Sequence, residues 1–226
     1  MKMRKIEKLG IEVSAFGVGC MRFPMTTVDG VEVVDESIST PAIRYAIDNG
    51  VNYMDTAYVY SNQKNETALG HALRDGYREK VYVATKLPTW ACNTREDMDR
   101  ILDESLARLE TDYIDFYLVH ALNKDSWQKM YDLGVLDFMD KAKASGKIRY
   151  ACFSFHDNYD TFKTILEAYD WDMCQIQFNF MDVENQAGLK GLKLAGERGV
   201  PVVIMEGLLG GKLANAPDNV QALYDS

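Results

Sequence analysis

Short apolar runs alternate with helical segments along the whole chain, and this alternation limits the possible folds more than any other feature. The runs are almost continuously apolar, which is typical of strands covered on both faces of a parallel sheet. Seven such units without a break in composition favour an incomplete (β/α)8 TIM-barrel type of fold over a doubly wound sheet. The predicted strands are 15–20, 51–54, 81–86, 114–120, 148–154, 173–179 and 200–205.

Turn and helix-capping residues predict the hairpin and the helices at the two ends of the chain. Residues 3–13 predict an N-terminal β-hairpin. Thr40 before Pro41 predicts the N-cap of the first helix, and a last helix is predicted from residue 219 to Ser226. We expect one domain over residues 1–226, because α/β barrels of roughly 200–250 residues commonly form single domains. An eighth strand is absent from the pattern, so we expect an open barrel edge through which the chain could self-associate.

Charge and cysteine usage narrow the functional class. The formal net charge is −9 and no Lys/Arg-rich run occurs, which argues against nucleic-acid binding. The apolar runs are too short to span a bilayer, so no membrane role is expected. The cysteines form no C-x-x-C pair, so the sequence signals neither a zinc site nor an iron–sulfur cluster. A reduced, cytoplasmic protein fits best, with Cys20, Cys152 and Cys174 buried and Cys92 in a loop where exposure is expected.

Chemically active side chains stand where several predicted strands end. Asp55 and then Tyr60 follow the run 51–54, while Lys86 and His120 end two later strands. In a barrel these ends converge on one rim. A lysine lowers the pKa of a neighbouring phenol, so that the phenol can protonate an oxyanion near neutral pH, and an aspartate would keep that lysine charged. A histidine on the same rim can donate a hydrogen bond to the substrate oxygen. The set suits hydride delivery to a carbonyl carbon.

Each of these residues alone also has a simpler explanation. Asp55 could cap a loop, Lys86 could be a solvated rim charge, and Tyr60 could pack on the rim. His120 could be a core histidine bonded to the backbone. The functional interpretation depends on their combination at successive strand ends.

Several motifs together resemble the aldo-keto reductase superfamily over essentially the whole chain. They are Asp55-Thr56-Ala57 with Tyr60, Asn65-Glu66 and Leu69-Gly70, then Ala84-Thr85-Lys86, Asp112-Tyr113-Ile114-Asp115 and Leu118-Val119-His120. The resemblance implies that Tyr60 is the general acid, that Lys86 and Asp55 tune it, and that His120 orients a small carbonyl substrate. It also implies that Ser154 and Gln177 hold the nicotinamide carboxamide.

The resemblance implies NADP(H) as the cofactor, with NAD(H) as the other possibility. Met21 and Arg22, in a motif similar to a bacterial and archaeal branch, are expected near the cofactor. Met205 stands where many members place a stacking tyrosine, and Phe155 where many have asparagine. Trp90 is a candidate wall of the substrate pocket, or it packs only on its own loop. Members of that branch often carry a ferredoxin-like segment, but no cysteine-rich tail occurs here, so no iron–sulfur cluster is expected.

Three functional interpretations follow. The first is a nicotinamide-dependent reductase of aldehydes or ketones. The second is a cofactor-binding regulatory subunit, because potassium-channel beta subunits share this superfamily's fold. The third is a non-catalytic fragment of a longer protein, because the segment that grips the adenosine phosphate in the superfamily would follow the seventh strand. A shortened natural variant is the alternative to a fragment.

Overall fold

The computed structural model describes residues 1–225, so the last residue of the predicted C-terminal helix, Ser226, lies outside the described residues. Short 3-10 helices occur at Glu7–Leu9, Cys20–Arg22, Arg78–Lys80, Thr89–Ala91 and Leu209–Gly211. The strands and α-helices, in chain order, are β1 Met3–Ile6, β2 Ile11–Ser14, β3 Val18–Gly19, β4 Met25–Val28, β5 Val31–Val34, α1 Glu36–Asp48, β6 Tyr53–Asp55, α2 Tyr60–Gln63, α3 Asn65–Ala72, β7 Tyr82–Pro88, α4 Arg95–Leu109, β8 Ile114–Leu122, α5 Lys124–Asp132, α6 Val135–Ala144, β9 Ile148–Phe155, α7 Tyr159–Glu167, β10 Met173–Gln177, α8 Gly188–Glu197, β11 Val202–Met205 and α9 Asp218–Tyr224.

Seven parallel strands form one sheet in the order β11-β10-β9-β8-β7-β6-β3. The sheet is strongly curled. Gln175 in β10 donates a hydrogen bond to Asp55 in β6 at 2.9 Å, although the two strands are four places apart in the sheet. In a flat sheet they would lie about 19 Å apart, at about 4.8 Å per strand. The α/β fold with an incomplete, seven-stranded barrel is therefore confirmed.

Alternate residues of each strand face the inside of this half-barrel. A small apolar cluster fills the end of the barrel interior at the N-terminal side of the strands, here called the floor. A larger apolar cluster lies between the sheet and the helices. Because strand side chains alternate with a period of two, the residues that follow the floor positions toward the C-terminal end are also directed inward. The floor positions are Tyr53, Ala84, Phe116, Leu118, Cys152 and Met173, and their successors are Asp55, Lys86, His120, Ser154 and Gln175.

The predicted N-terminal hairpin is confirmed by the antiparallel pairing of β1 with β2. A second antiparallel hairpin, β4–β5, was not predicted. Its turn residues Asp29 and Gly30 have φ of 50° and 79°. Asp-Gly is a preferred sequence for such a two-residue turn, since both positions require positive φ. The sequence therefore carried a usable signal for this hairpin.

The predicted start of the first helix is wrong. The helix begins at Glu36, and the side chain of Asp35 caps it by accepting a hydrogen bond from the Ser37 backbone N–H at 3.1 Å. Pro41 lies inside the helix. Asp35 competes successfully with Thr40 because aspartate is a strong N-cap and is followed by an acidic first turn.

Two predictions about cysteines need correction. Cys20 is buried as expected, but it lies in a 3-10 helix because β3 is shorter than the predicted strand 15–20. Cys92 is fully buried, and its thiol contacts the Pro88 carbonyl at 3.5 Å. Burial of Cys152 and Cys174 is confirmed. Within residues 1–225, no helix is both long and apolar enough to cross a membrane.

Candidate active site

Lys86 is the centre of the candidate site. Lys86 lies near the C-terminal end of β7, with its side chain directed to the inside of the barrel. This side chain is only 2% exposed. Its ammonium group donates to the Asp55 carboxylate at 2.6 Å, to the Thr56 backbone carbonyl at 2.6 Å and to the Tyr60 hydroxyl at 3.3 Å. A lysine ammonium has three N–H donors, and each has an acceptor here. The side chain is therefore fixed by its partners.

Asp55 keeps Lys86 charged. Burial acts to lower the pKa of Lys86, but the negative charge of Asp55 and the neighbouring Tyr60 outweigh it, and the net pKa is raised. The other carboxylate oxygen of Asp55 accepts from Gln175 at 2.9 Å, so the aspartate is held from both sides of the half-barrel. A buried ion pair with satisfied hydrogen bonds of this kind has a defined geometry.

Tyr60 is protonated at neutral pH. Burial raises the pKa of its phenol, while the positive charge of Lys86 acts in the opposite direction, as expected from the sequence. Burial is the larger effect, so the net pKa is raised rather than lowered. Lys86 therefore reduces the rise in the Tyr60 pKa that burial causes, but does not reverse this rise.

An unusual backbone conformation follows Tyr60. Ser61, Asn62 and Gln63 have φ of 48°, 52° and 66°, in the left-handed region. Non-glycine residues in this region cost about 1–3 kcal/mol each and persist only where surrounding contacts hold them. The turn α2 is therefore not a regular right-handed helix.

His120 lies beside Tyr60, with 6.1 Å between the ring centroids. It is 9% exposed, and its Nδ1 has no hydrogen-bond partner. Burial, helped by the positive charges of Lys86 and His156, lowers the pKa of His120 to about 3. The imidazole is therefore neutral at pH 7, with one N–H donor and one acceptor nitrogen. The alternative was a core histidine that hydrogen-bonds to the backbone, but the Nδ1 of His120 makes no such bond.

Trp90 covers this side of the site. Its ring centroid is 5.3 Å from that of His120, and the side chain is largely exposed. The 3-10 helix Thr89–Ala91 that follows β7 carries it. Trp90 thus contacts a candidate site residue and does not pack only on its own loop.

The hydrogen bonds of Ser154 and Gln177, which were expected to hold the cofactor, do not involve Lys86, Asp55 or Tyr60. Ser154 is buried, and its Oγ accepts from the Ala121 backbone N–H at 2.8 Å, which leaves its own hydrogen available. The amide of Gln177 is occupied by Asp182 and Gln186, at 3.4 and 2.7 Å. Sequence analysis missed Gln175, which reaches Asp55 directly. The period of two along β10 makes both glutamines inward-facing, so this signal could have indicated Gln175 as well.

The edges of the sheet carry the remaining candidates. Met205 is half-buried at the end of β11, in register with Gln177. Met21 and Arg22 are exposed on the 3-10 helix after β3. The Arg22 guanidinium lies against Gly210, where an added Cβ would be 3.1 Å from it. The loops that follow the two edge strands therefore approach each other at the rim.

Comparison with known sequences identifies relatives of known family. The family model described as "Aldo/keto reductase family" matches residues 15–223. Aldo-keto reductase YhdN of Bacillus subtilis (strain 168) is 32% identical over 181 residues, covering 73% of this chain and 51% of that protein. Probable aldo-keto reductase 1 of Glycine max is 29% identical over 237 residues, covering 95% of this chain and 63% of that protein. The chain thus spans roughly half to two-thirds of the length of these relatives.

Solved structures agree with this assignment. Aldo-keto reductase AKR11C1 from Bacillus halodurans (holo form) has a TM-score of 0.79 at 26% identity, covering 96% of this chain and 70% of that one. An aldo-keto reductase from Klebsiella pneumoniae in complex with NADPH has a TM-score of 0.74 at 25% identity, covering 95% and 72%. Because the family model matches most of the length of this chain, the chain belongs to the aldo/keto reductase family.

Proposed function

We propose that the protein reduces the carbonyl group of an aldehyde or ketone with hydride from NAD(P)H, and that Tyr60 donates the proton. The observation that carries this proposal is the contact between the Lys86 ammonium and the Tyr60 hydroxyl at 3.3 Å, made while Asp55 holds the same lysine at 2.6 Å. A binding protein without turnover has no need of a charged lysine buried against a phenol.

Proton transfer follows from the directions of these hydrogen bonds. Lys86 donates to the Tyr60 oxygen, so the phenol hydrogen is free to point at another acceptor. The proposed acceptor is the carbonyl oxygen of the substrate. Once the proton has moved, the ammonium group stabilises the tyrosinate that remains. Lys86 itself has no further N–H to donate, so the transfer runs through Tyr60.

His120 and Trp90 would position the substrate. A neutral His120 can donate its one N–H to the same carbonyl oxygen and stabilise the negative charge that develops there. Trp90, 5.3 Å from the imidazole, would form an apolar wall for the rest of the substrate. The exposure of its ring leaves room on the solvent side for an incoming molecule.

The donor set fits a nicotinamide carboxamide, which has both an acceptor and donors. Within the described residues, the buried polar atoms without a partner include His120 Nδ1, Gln175 Oε1 and Asn179 Nδ2. Unpaired buried groups cost about 1–3 kcal/mol each, so a ligand that pairs with them is favoured. Ser154 would also donate, and Met205 would lie against the ring in place of an aromatic side chain. The nicotinamide cofactor supplies the hydride when it is bound.

Changing Tyr60→Phe tests this mechanism. Loss of the general acid should lower the carbonyl reduction rate by about 10²–10⁴-fold, while NADPH affinity should hold, because the cofactor contacts do not use the phenol. Reduction is followed by the loss of NADPH absorbance, and binding by tryptophan fluorescence. Tyr53→Phe is the matched control, since this buried phenol lies on the same strand side as Asp55 and has no hydrogen-bond partner.

The outcomes separate the interpretations. If Tyr60→Phe reduces carbonyls as fast as the unmodified chain, Tyr60 is not the proton donor. Saturable NADPH binding without reduction of any carbonyl in a broad screen would instead support the regulatory-subunit interpretation. Absence of NADPH binding would indicate that residues 1–226 do not form a complete cofactor site.

A further inference from the structure

Asn65 is a fully buried polar residue at the start of α3, next to the candidate site. Asparagine is a common helix cap, but the Asn65 side chain makes no capping bond to α3. Instead, its Nδ2 donates to the Cys20 backbone carbonyl at 2.8 Å and to the Ser61 hydroxyl at 3.2 Å, while its Oδ1 accepts from the Thr56 hydroxyl at 2.7 Å. All three partners lie outside α3.

These partners lie on both sides of Tyr60. Thr56 precedes it, and the backbone carbonyl of Thr56 accepts from Lys86 at 2.6 Å. Ser61 follows it directly. One amide group therefore links the two chain segments that set the position of Tyr60 relative to Lys86. Cys20 adds a third anchor, on the 3-10 helix after β3.

The left-handed turn behind Tyr60 needs such an anchor. Three consecutive non-glycine residues, Ser61 to Gln63, have positive φ, a conformation that L-residues rarely adopt in sequence. The Asn65 bond to Ser61 holds the first of them, and Arg108 holds the last by donating to the Gln63 side chain at 3.0 Å. A relaxed turn would redirect the chain at Tyr60.

We propose that Asn65 is a positioning residue for the reaction: it holds the left-handed turn 61–63 and thereby keeps the Tyr60 hydroxyl against Lys86. Asn65 does not touch the reacting atoms and acts through Tyr60. This inference rests on the proposed function, because it concerns the proton donor assigned there.

The first test is Asn65→Ala. Displacement of a catalytic group by about 1 Å can cost about 10²-fold, so we expect kcat to fall by about 10- to 100-fold. KM for the carbonyl and the Kd for NADPH should change by less than about threefold, since the loss falls on the transition state. The pKa of Tyr60, followed by NMR of 13C-labelled tyrosine and assigned with Tyr60→Phe, should shift, because a phenol that moves away from Lys86 changes both its burial and its distance from the lysine charge.

A rescue variant makes the test specific to the turn. Asn62 is exposed, and glycine adopts the left-handed conformation without penalty. Asn62→Gly in the Asn65→Ala background should restore about threefold or more of the lost kcat. Asn62→Gly alone gives the reference kcat against which the rescue is measured.

A purely stabilising role for Asn65 predicts a different result. Thr94→Ala removes the capping box at the N-terminus of α4, the end opposite to Arg108, and should lower Tm without changing kcat. If Asn65→Ala behaves in the same way, with kcat and the Tyr60 pKa both unchanged, the proposal is wrong. Should Asn65→Ala fail to fold, Ser61→Ala replaces it: this half-buried residue loses one bond to Asn65, and an unchanged kcat and Tyr60 pKa would equally overturn the proposal.

Failure of the proposed function would look different. If the unmodified chain reduces no carbonyl, no kcat can be compared, and the proposed function fails. The Tyr60 pKa can still be measured in that case. A change in this pKa in Asn65→Ala, reversed by Asn62→Gly, would still support the positioning role, while no change would refute it.

Discussion

Replacing Asp55 by asparagine isolates the charge that keeps Lys86 protonated. The Asp55 side chain is 14% exposed and that of Lys86 is 2% exposed, so the pair is largely screened from water. Asparagine has nearly the same shape, and its amide oxygen can still accept the hydrogen bond from Lys86. Its amide nitrogen replaces the oxygen that accepts from Gln175, and it can donate to the otherwise unpaired Gln175 Oε1 once that amide is flipped. The change therefore removes a negative charge while leaving the packing in place.

The expected loss of stability follows from the burial of the lysine. Removing one partner of a buried ion pair typically costs about 3–5 kcal/mol. We expect about 3 kcal/mol at pH 7, the lower end, because the amide oxygen still pairs with one N–H and the Thr56 carbonyl with another.

The pH dependence gives the sharper signature. In the unmodified protein the pKa of Lys86 is raised, so its contribution to stability is complete below the ordinary lysine value of about 10.4 and is lost only as pH rises through the folded-state pKa. Without Asp55, burial dominates and lowers that pKa. The unfolded chain then binds more protons, and stability rises with pH by at most about 1.4 kcal/mol per unit as the pH approaches 10.4.

Urea unfolding of both proteins at pH 7, 8, 9 and 10 measures this difference. Groups whose pKa does not depend on Asp55 contribute equally to both curves and cancel in the difference between them. Burial remains the largest cause of the raised pKa values of Tyr60, Tyr53 and Cys20, which Asp55 also affects. Asp137→Asn is the matched control, because it breaks a surface pair with Lys141 and should add no slope. A stability difference between Asp55→Asn and the unmodified protein that stays constant from pH 7 to 10 would refute the reasoning that Asp55 maintains the charge of Lys86.

Three further substitutions test packing and the pocket wall. Gly70→Ala would place a Cβ 2.7 Å from a backbone oxygen of the last turn of α4, and overpacking of this kind should destabilise the protein by about 1–3 kcal/mol in urea unfolding. Gly196→Ala, with no atom within 4 Å of the added carbon, should instead stabilise it by about 0.5–1 kcal/mol. Trp90→Ala should raise KM for the carbonyl about two- to tenfold in steady-state kinetics, through the loss of about 0.5–1.5 kcal/mol of aromatic packing; an unchanged KM would exclude Trp90 from the pocket.

Much of the site could be predicted from the sequence because strand geometry is regular. The apolar runs identify the strands, and the last inward-facing residue of each must point to the same rim. The side chains of Asp55, Lys86 and His120 converge around Tyr60 for this reason. The resemblance to a known family added roles, but the convergence of these side chains follows from the parallel topology alone.

Contacts that cross the barrel could not be predicted in the same way. The period of two directs both Gln175 and Gln177 inward, and only the curvature of the sheet determines which of them reaches Asp55. Likewise, nothing in Ser61-Asn62-Gln63 signals three left-handed residues, since asparagine alone among them favours that conformation. The turn exists because tertiary contacts from Asn65 and Arg108 override local preference.

The protonation states of the site have one common cause. Burial penalises every charged form, so it raises the pKa of Tyr60 and lowers that of His120, and both remain neutral at pH 7. Lys86 is the exception, because Asp55 compensates for its burial. The proposed site thus contains a phenol that still holds its proton, an imidazole able to donate, and an ammonium group behind the phenol. In the proposed reaction, a carbonyl oxygen that gains negative charge would meet donors in their protonated forms, whereas the reverse reaction would first require ionisation of a buried phenol.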